Sequence, residues 1–341
     1  MPAAAVVAAV VAAEMFQEEA LTMITRLSRS ILRPLAAATL LALPVFALPS
    51  AAQEATDSAL ADLVSPTPPQ SFKDAGAAVD AFKSVLKADD FDGLAKLLGL
   101  DAARLRAGEG VMDTFAQIRA GAAKQVVVQE PDADRRILVL GDRLWPFPFP
   151  LTKESDGQWA FDTEAGIDEI VNRRVGENEL QAIATLRAYV EAQRDYSDVD
   201  HDADGVLEFA QKLISTSGET DGLYWPPDQG DGDSPAGDMV DEAALAKAKA
   251  GDGYFGYRYR ILTGQGENVA GGRYDYVING NMIAGFGLVA WPVRYGETGV
   301  HTFVVNQQGI VYEADLGADT ERLASGMRRF NPGDTWTVAN D

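Results

Sequence analysis

Four carboxylates fall within nine residues between Asp200 and Glu208. Asp200, Asp202 and Asp204 take alternate positions, Gly205 follows, and Glu208 closes the run. Alternate spacing turns the side chains toward one point, and a glycine there permits a sharp turn. This is the spacing of a calcium loop. With Asp200 as first ligand, Asp202 is third, Asp204 fifth, the Val206 carbonyl seventh and Glu208 ninth. Leu207 supplies the apolar anchor between the last two. The twelfth place, where a helix–loop–helix calcium site uses a bidentate Glu, holds Gln211. The shell then needs another carboxylate: Asp198, or Asp221, Asp228 or Asp231 from farther along. The competing reading is a solvated acidic turn that caps a helix beginning at Leu207. Carboxylate oxygens are hard ligands, so calcium is the expected cofactor, ahead of zinc or copper.

The other chemistry-bearing residues are sparse. The two histidines are His201 and His301, and there is no cysteine. Thiol catalysis, disulfides and a cysteine zinc site are excluded. His301 follows Glu297 and could act with it as a base, yet no nucleophile elbow accompanies the pair. A polar strand residue is the competing reading for His301. Gly264–Gly272 is glycine-rich but lacks the Lys-Ser/Thr of a phosphate loop, so it reads as a hairpin connection. Arg173, Arg174, Arg194, Arg258 and Arg260 stand out in an acidic chain. They either pair internally, with Asp195 or Glu179, or line a pocket for a carboxylate ligand.

These residues need elements to hold them. Apolar spacing predicts helices at 75–88, 91–98 and 112–123. β-rich segments follow at 125–128, 136–140 and 159–163, with Asp156-Gly157 as a hairpin turn from Leu151-Thr152. Leu144–Pro150 alternates aromatics with prolines, which reads as an edge strand with its aromatics in the core, or as a docking strip. The strongest helix spans Glu179–Tyr196, with Asn178 as N-cap and Leu180, Ile183, Leu186, Tyr189, Val190 and Gln193 on one stripe. A short helix is expected at Leu207–Ser215. From Asp195 to Asp241 the chain carries thirteen acidic residues and one basic, Lys212. Strands are expected at Tyr254–Leu262, Tyr274–Asn279, Met282–Pro292, Thr302–Asn306 and Ile310–Glu313, turned by Asn279-Gly280 and Gln308-Gly309.

Residues 23–52 have the composition of an export signal. Arg26, Arg29 and Arg33 precede an apolar run from Pro34 to Leu48, and Ser50-Ala51-Ala52 offers a cleavage site before Gln53. Met23 is the expected start, because Glu14, Glu18 and Glu19 suit a leader poorly. The apolar run is too short to span a membrane. Residues 1–52 hold three basic and three acidic residues, so the mature chain keeps the net charge of −22. Such a surface disfavours nucleic acid and anionic membranes as partners.

Several rare-residue motifs occur in order: Leu144–Pro150, Trp159–Thr163, Asn172–Arg174 with Asn178–Leu180, Ala192–Tyr196, Asp221–Pro226, Gly285-Phe286 with Ala290–Pro292, and Tyr295–Gly299. Through them the chain resembles the bacterial family of exported proteins catalogued as domain of unknown function 2950, from about Ala75 to Trp336. That resemblance implies no activity. Separately, the C-terminal half is similar to the soluble part of type IV pilins and pseudopilins, in which a long helix precedes a Tyr-rich sheet. It departs from them in having a soluble domain where pilins carry their hydrophobic helix.

The expectation is an α+β protein: a 1–52 leader, a 53–70 linker, a cystatin-like or nuclear-transport-factor-like cone over 71–175, and a pilin-like helix on an antiparallel meander over 176–341. It is expected in the periplasm or secreted, without a membrane span once the leader is removed. Its expected role is a calcium-binding module for an envelope protein or a small ligand. The alternatives are a hydrolase using Glu297 and His301, and an assembly subunit of pilin-like ancestry.

Overall fold

The computed structural model describes residues 61–108, 110–229 and 232–340. The leader read at 1–52 and the first part of the linker lie outside the described residues. The fold is mixed α and β with antiparallel sheets. It divides into two compact units, Met1–Arg173 and Arg174–Asp341. No helix among the described residues is long and apolar enough to cross a membrane.

The first unit opens with α1 (Ala75–Lys87), α2 (Phe91–Leu97), α3 (Ala102–Arg106) and α4 (Val111–Lys124). Aspartate starts three of them. Asp74, Asp90 and Asp101 each accept a first-turn amide, from Ala77 and Gly93 at 2.8 Å and from Ala103 at 3.0 Å. These bonds satisfy donors that a helix start would otherwise leave open. The sheet that follows comprises β1 (Val126–Gln129), β2 (Arg135–Leu140), β3 (Trp145–Pro146), β4 (Leu151–Lys153) and β5 (Trp159–Phe161). It runs in the order β1-β2-β4-β5, with β3 on β2. Gly157, at φ 84°, turns β4 into β5. The proline-aromatic strip lies at an edge, β3 pairing with β2, and turns its aromatics into the core. Trp145, Phe147 and Phe149 are buried, and Phe147 stacks 5.0 Å from Phe82. It therefore presents no exposed aromatic face for docking.

The boundary between the units falls within α5 (Thr163–Tyr196). This helix begins well before the expected Glu179. Asp162 caps it, its carboxylate accepting the Ala165 amide at 3.0 Å. Asn178 is mid-helix and donates to the Thr298 carbonyl at 2.9 Å.

In the second unit a five-stranded antiparallel sheet runs β14-β13-β12-β11-β6. Its members are β6 (Tyr257–Leu262), β11 (Gly287–Pro292), β12 (His301–Asn306), β13 (Tyr312–Asp315) and β14 (Thr337–Val338). Two-stranded pairs lie between β6 and β11: β7 (Gly264–Gln265) with β8 (Tyr274–Asp275), and β9 (Val277–Ile278) with β10 (Asn281–Met282). The expected strand at 254–262 shortens because Phe255 and Gly256 take positive φ. The one expected at 282–292 breaks at Gly285, φ 136°. Asn279-Gly280 turns β9 into β10, both residues at positive φ.

Every residue of β11 is buried, and the two-residue period of a strand explains why. Leu288 and Ala290 join Ala182, Leu186 and Tyr189 of α5 in one core, while Val289 and Trp291 join Ala324 and Phe330 in another. A short helix, α7 (Thr320–Gly326), supplies Ala324 to that second core. Both sheet faces are covered, so the central strand reads as a continuous apolar run.

The expected helix at 207–215 does not form. Its backbone groups are bound elsewhere. The Phe209 amide donates to the Met282 carbonyl, and the Tyr224 amide donates to Leu213. Gln193 of α5 holds Ala210 at both its amide and its carbonyl, each at 2.8 Å. A helix would have to break all of these. Farther along, α6 (Glu242–Lys249) starts from Asp241, which accepts the Ala244 amide at 2.7 Å.

Candidate functional site

The Asp loop begins directly after α5. Left-handed backbone at Ala203 (φ 60°) and Gly205 (φ 86°) curls the chain back on itself. Asp200, Asp202 and Asp204 converge, with one oxygen from each lying within 4.8 Å of the others. At that separation each pair of charges repels by about 1 kcal/mol even in water. The loop's own amides hold part of this charge. Gly205 donates to Asp200 Oδ2 at 2.9 Å, Asp204 to Asp202 Oδ1 at 3.2 Å, and Val206 to Asp204 Oδ1 at 2.8 Å. The Asn281 side chain donates to Asp204 Oδ2 at 2.7 Å. Asp200 Oδ1 is screened from solvent without a well-formed hydrogen bond. The Asp200 carboxyl lies below the ordinary aspartate range, chiefly because of the Gly205 amide.

The converging set is smaller than the expected ligand set. Asp198 is outside it. Glu208 Oε2 accepts the Met282 amide at 2.9 Å. Gln211 donates to the Gly280 carbonyl at 2.6 Å. Asp221, expected as a shell candidate, is bound to Lys212 and to the Thr216 amide and hydroxyl. Partial burial works to raise its carboxyl, but these partners outweigh it and hold it at about 2. Asp231 lies outside the described residues.

A cleft of about 1,010 Å³ adjoins the loop. Asp195, Asp200, Asp202, Glu219, Asp221 and Asp233 line it together with Asp238, and no lysine or arginine does. Tyr196, beside this cleft, registers the field. Burial first, then Glu208, Asp221 and Asp202, push its phenol up to about 12. Such a potential favours cations. The His201 ring stacks on Tyr196 with centroids 3.9 Å apart, and its Nε2 lies 3.2 Å from the Tyr196 carbonyl. His201 thus pins the loop to the helix end.

The expected Glu297–His301 pair is replaced by other partners. His301 Nδ1 lies 3.1 Å from Glu179 Oε2, and Glu297 Oε2 accepts from Arg294 Nε at 2.6 Å. Glu179, expected as an internal partner for the arginines, is bound to His301 instead, a partner distant in the chain. The arginines are engaged separately. Arg173 binds Glu169 at 2.8 Å, Arg258 binds Glu321 at 2.7 Å, and Arg174 donates to the Glu297 carbonyl. Arg194 reaches the Gln307 carbonyl, and Arg260 holds the Ser325 and Ala324 carbonyls. This is the internal-pairing alternative, and no carboxylate pocket is built from them.

No curated protein and no solved structure matches the chain. Residues 69–339 match the family described as protein of unknown function (DUF2950), and that span exceeds half of the chain. The chain therefore belongs to the DUF2950 family.

Proposed function

We propose that this chain is a calcium-stabilised binding module of the bacterial cell envelope. One observation carries the reading: three carboxylates converge, and Asp200 Oδ1 among them is screened from solvent without a well-formed hydrogen bond, although the carboxyl group itself lies at the surface. A screened carboxylate oxygen left open is costly, and a hard divalent cation is the ligand that satisfies it. Asp200, Asp202 and Asp204 would hold the ion, and water would complete the shell. Gln211 turned toward Gly280 and Glu208 turned toward Met282 leave no bidentate glutamate from this loop, so affinity on the order of 10⁻⁴ M is expected. Calcium is near that level or above it outside the cytoplasm. The leader-like composition of residues 23–52 supports that location. The helix-on-meander core of the second unit supports the pilin-like reading, and the helices followed by an antiparallel sheet support the cystatin-like reading of the first.

The test is calorimetric titration of the full chain with calcium, beside Asp200→Asn and Asp202→Ala. Saturable heat in the wild type that is lost in both variants is the expected result. No heat in the wild type, or unchanged heat in both variants, refutes the reading.

A further inference from the structure

A second cavity lies within the C-terminal unit, lined by a different set of residues from the charged cleft. Its volume is about 450 Å³, room for roughly fifteen waters at the liquid's share of volume. Its walls are apolar. Ala188 of α5, Leu288 of β11, the Tyr254 and Tyr259 rings, and Ala236 and Met239 of the acidic excursion are among the lining residues. Cavities of this size lined mainly by aliphatic and aromatic groups are the usual form of a small-molecule site.

One polar atom in it is unexplained. The Tyr259 hydroxyl is buried and makes no hydrogen bond of good geometry, although the Thr185 hydroxyl is close enough to act on it. Its neighbour Thr185 donates instead to the Gln181 carbonyl at 2.7 Å. The Tyr254 hydroxyl accepts the Asp241 amide at 2.9 Å. Burial raises the Tyr259 phenol well above its ordinary range, an effect that nearby Thr185 only partly offsets. The group therefore stays neutral and offers a proton. An unsatisfied buried hydroxyl costs about 1–3 kcal/mol, so its natural complement is an acceptor brought in by something else.

The charge of the walls selects among acceptors. Arg258 is the one charged residue in the lining, and it is bound to Glu321 at 2.7 Å. A free carboxylate here would be buried without a cation, which is expensive. A carbonyl or ester oxygen carries no such penalty. We infer that this cavity binds an uncharged, mainly apolar small molecule whose carbonyl-type oxygen accepts from Tyr259.

The test uses the full chain and the neutral fluorophore N-phenyl-1-naphthylamine, displaced by methyl dodecanoate or by ionised dodecanoate. A saturable fluorescence rise is expected, with the ester the better competitor. Ala188→Phe and Ala236→Phe each add bulk at the lining, and each should weaken fluorophore binding on the order of tenfold while the protein still melts cooperatively. Tyr259→Phe removes one oxygen and keeps the ring. It should weaken the ester about fivefold while fluorophore binding persists, the loss of one hydrogen bond. The inference is overturned by a non-saturable signal, by dodecanoate outcompeting the ester, or by ester displacement unchanged in Tyr259→Phe. The last variant decides the matter if both filling variants fail to fold.

Discussion

Glu179 of α5 and His301 at the start of β12 meet across 122 residues of sequence, with Nδ1 and Oε2 3.1 Å apart. The other carboxylate oxygen of Glu179 accepts the Val300 amide at 2.8 Å and the His301 amide at 2.9 Å. Tyr257 adds a hydroxyl bond to the His301 carbonyl at 3.0 Å. One glutamate thus anchors the start of an otherwise interior strand to the long helix.

This anchor should make stability depend on pH in a defined window. The Glu179 bond raises His301, against a smaller opposing effect of burial, and Glu313 and Asp315 add to the rise. Burial works to raise Glu179, but the His301 and Val300 bonds outweigh it and its carboxyl is lowered. A raised histidine contributes fully below its unfolded value, about 6.5, and loses that contribution as pH climbs through its folded value. A lowered glutamate contributes above its unfolded value, about 4.3, and loses it as pH falls through its folded value. The pair is therefore worth most between those limits. Urea midpoints at pH 5.5 and 8.5 should show the wild type losing more stability on going to 8.5 than His301→Gln does. Equal losses would disprove the coupling. Glu179→Ala, which opens two amides, should cost about 3 kcal/mol at pH 8.5 and more at pH 5.5, where the charge coupling to His301 is lost as well.

Gly299 is fixed by this same anchor. A Cβ added there would fall on the Tyr257 hydroxyl and within 2.5 Å of its Cζ, and Tyr257 is fully buried. Gly299→Ala should destabilise the protein by about 2 kcal/mol through overpacking. Combining it with Tyr257→Phe, which takes the hydroxyl away, should cost less than the sum of the two single changes. Strict additivity in a double-mutant cycle by urea unfolding would rule out this contact.

What the sequence makes legible here is local. Strand period, the Asn279-Gly280 and Asp156-Gly157 turns, and the core stripe of α5 all depend on neighbours a few residues apart. The capping aspartates Asp101 and Asp241 carried the same kind of signal for α3 and α6, and both short helices were passed over in favour of longer patterns. The start of α5 was misplaced because Gly176 and Asn178 look like a boundary. Yet Gly176 sits in open space inside the helix, and Asn178 serves a distant loop. The spacing of Asp200, Asp202 and Asp204 was sufficient to indicate their convergence. The fates of Glu208, Gln211 and Glu297 were not legible, since each is decided by a partner or a fold-back that periodicity does not encode.

Gln193 should be among the costliest polar residues to lose. It is fully buried, and it donates to Tyr189 Oη at 3.0 Å while binding both backbone groups of Ala210. Those bonds replace the helix that the sequence of 207–215 suggests. Gln193→Leu keeps the volume and removes every bond, leaving a buried amide and carbonyl open. A loss of about 3 kcal/mol is expected, with hydrogen exchange at Ala210 accelerating more than exchange in β11 and β12. Uniform acceleration across the unit would show that Gln193 does not act through this segment.

Calcium should stabilise the C-terminal unit first at the Asp loop. An ion that binds the folded loop and hardly binds the unfolded chain adds stability by mass action, about 1.4 kcal/mol at ten times the dissociation constant. It also relieves the repulsion among Asp200, Asp202 and Asp204, which the loop amides and Asn281 offset only in part. Chelation should therefore lower the melting temperature of the wild type by several degrees. Asp202→Ala should melt identically with calcium and with chelator. Asn281→Ala removes a donor to Asp204 without removing a ligand, so it should lower stability in chelator while keeping a response to calcium. Acid should weaken binding once the Asp200 carboxylate takes up a proton, which the Gly205 amide delays by holding that carboxyl low. A wild type whose melting temperature is the same in calcium and in chelator would leave the loop as an acidic turn held by its own amides.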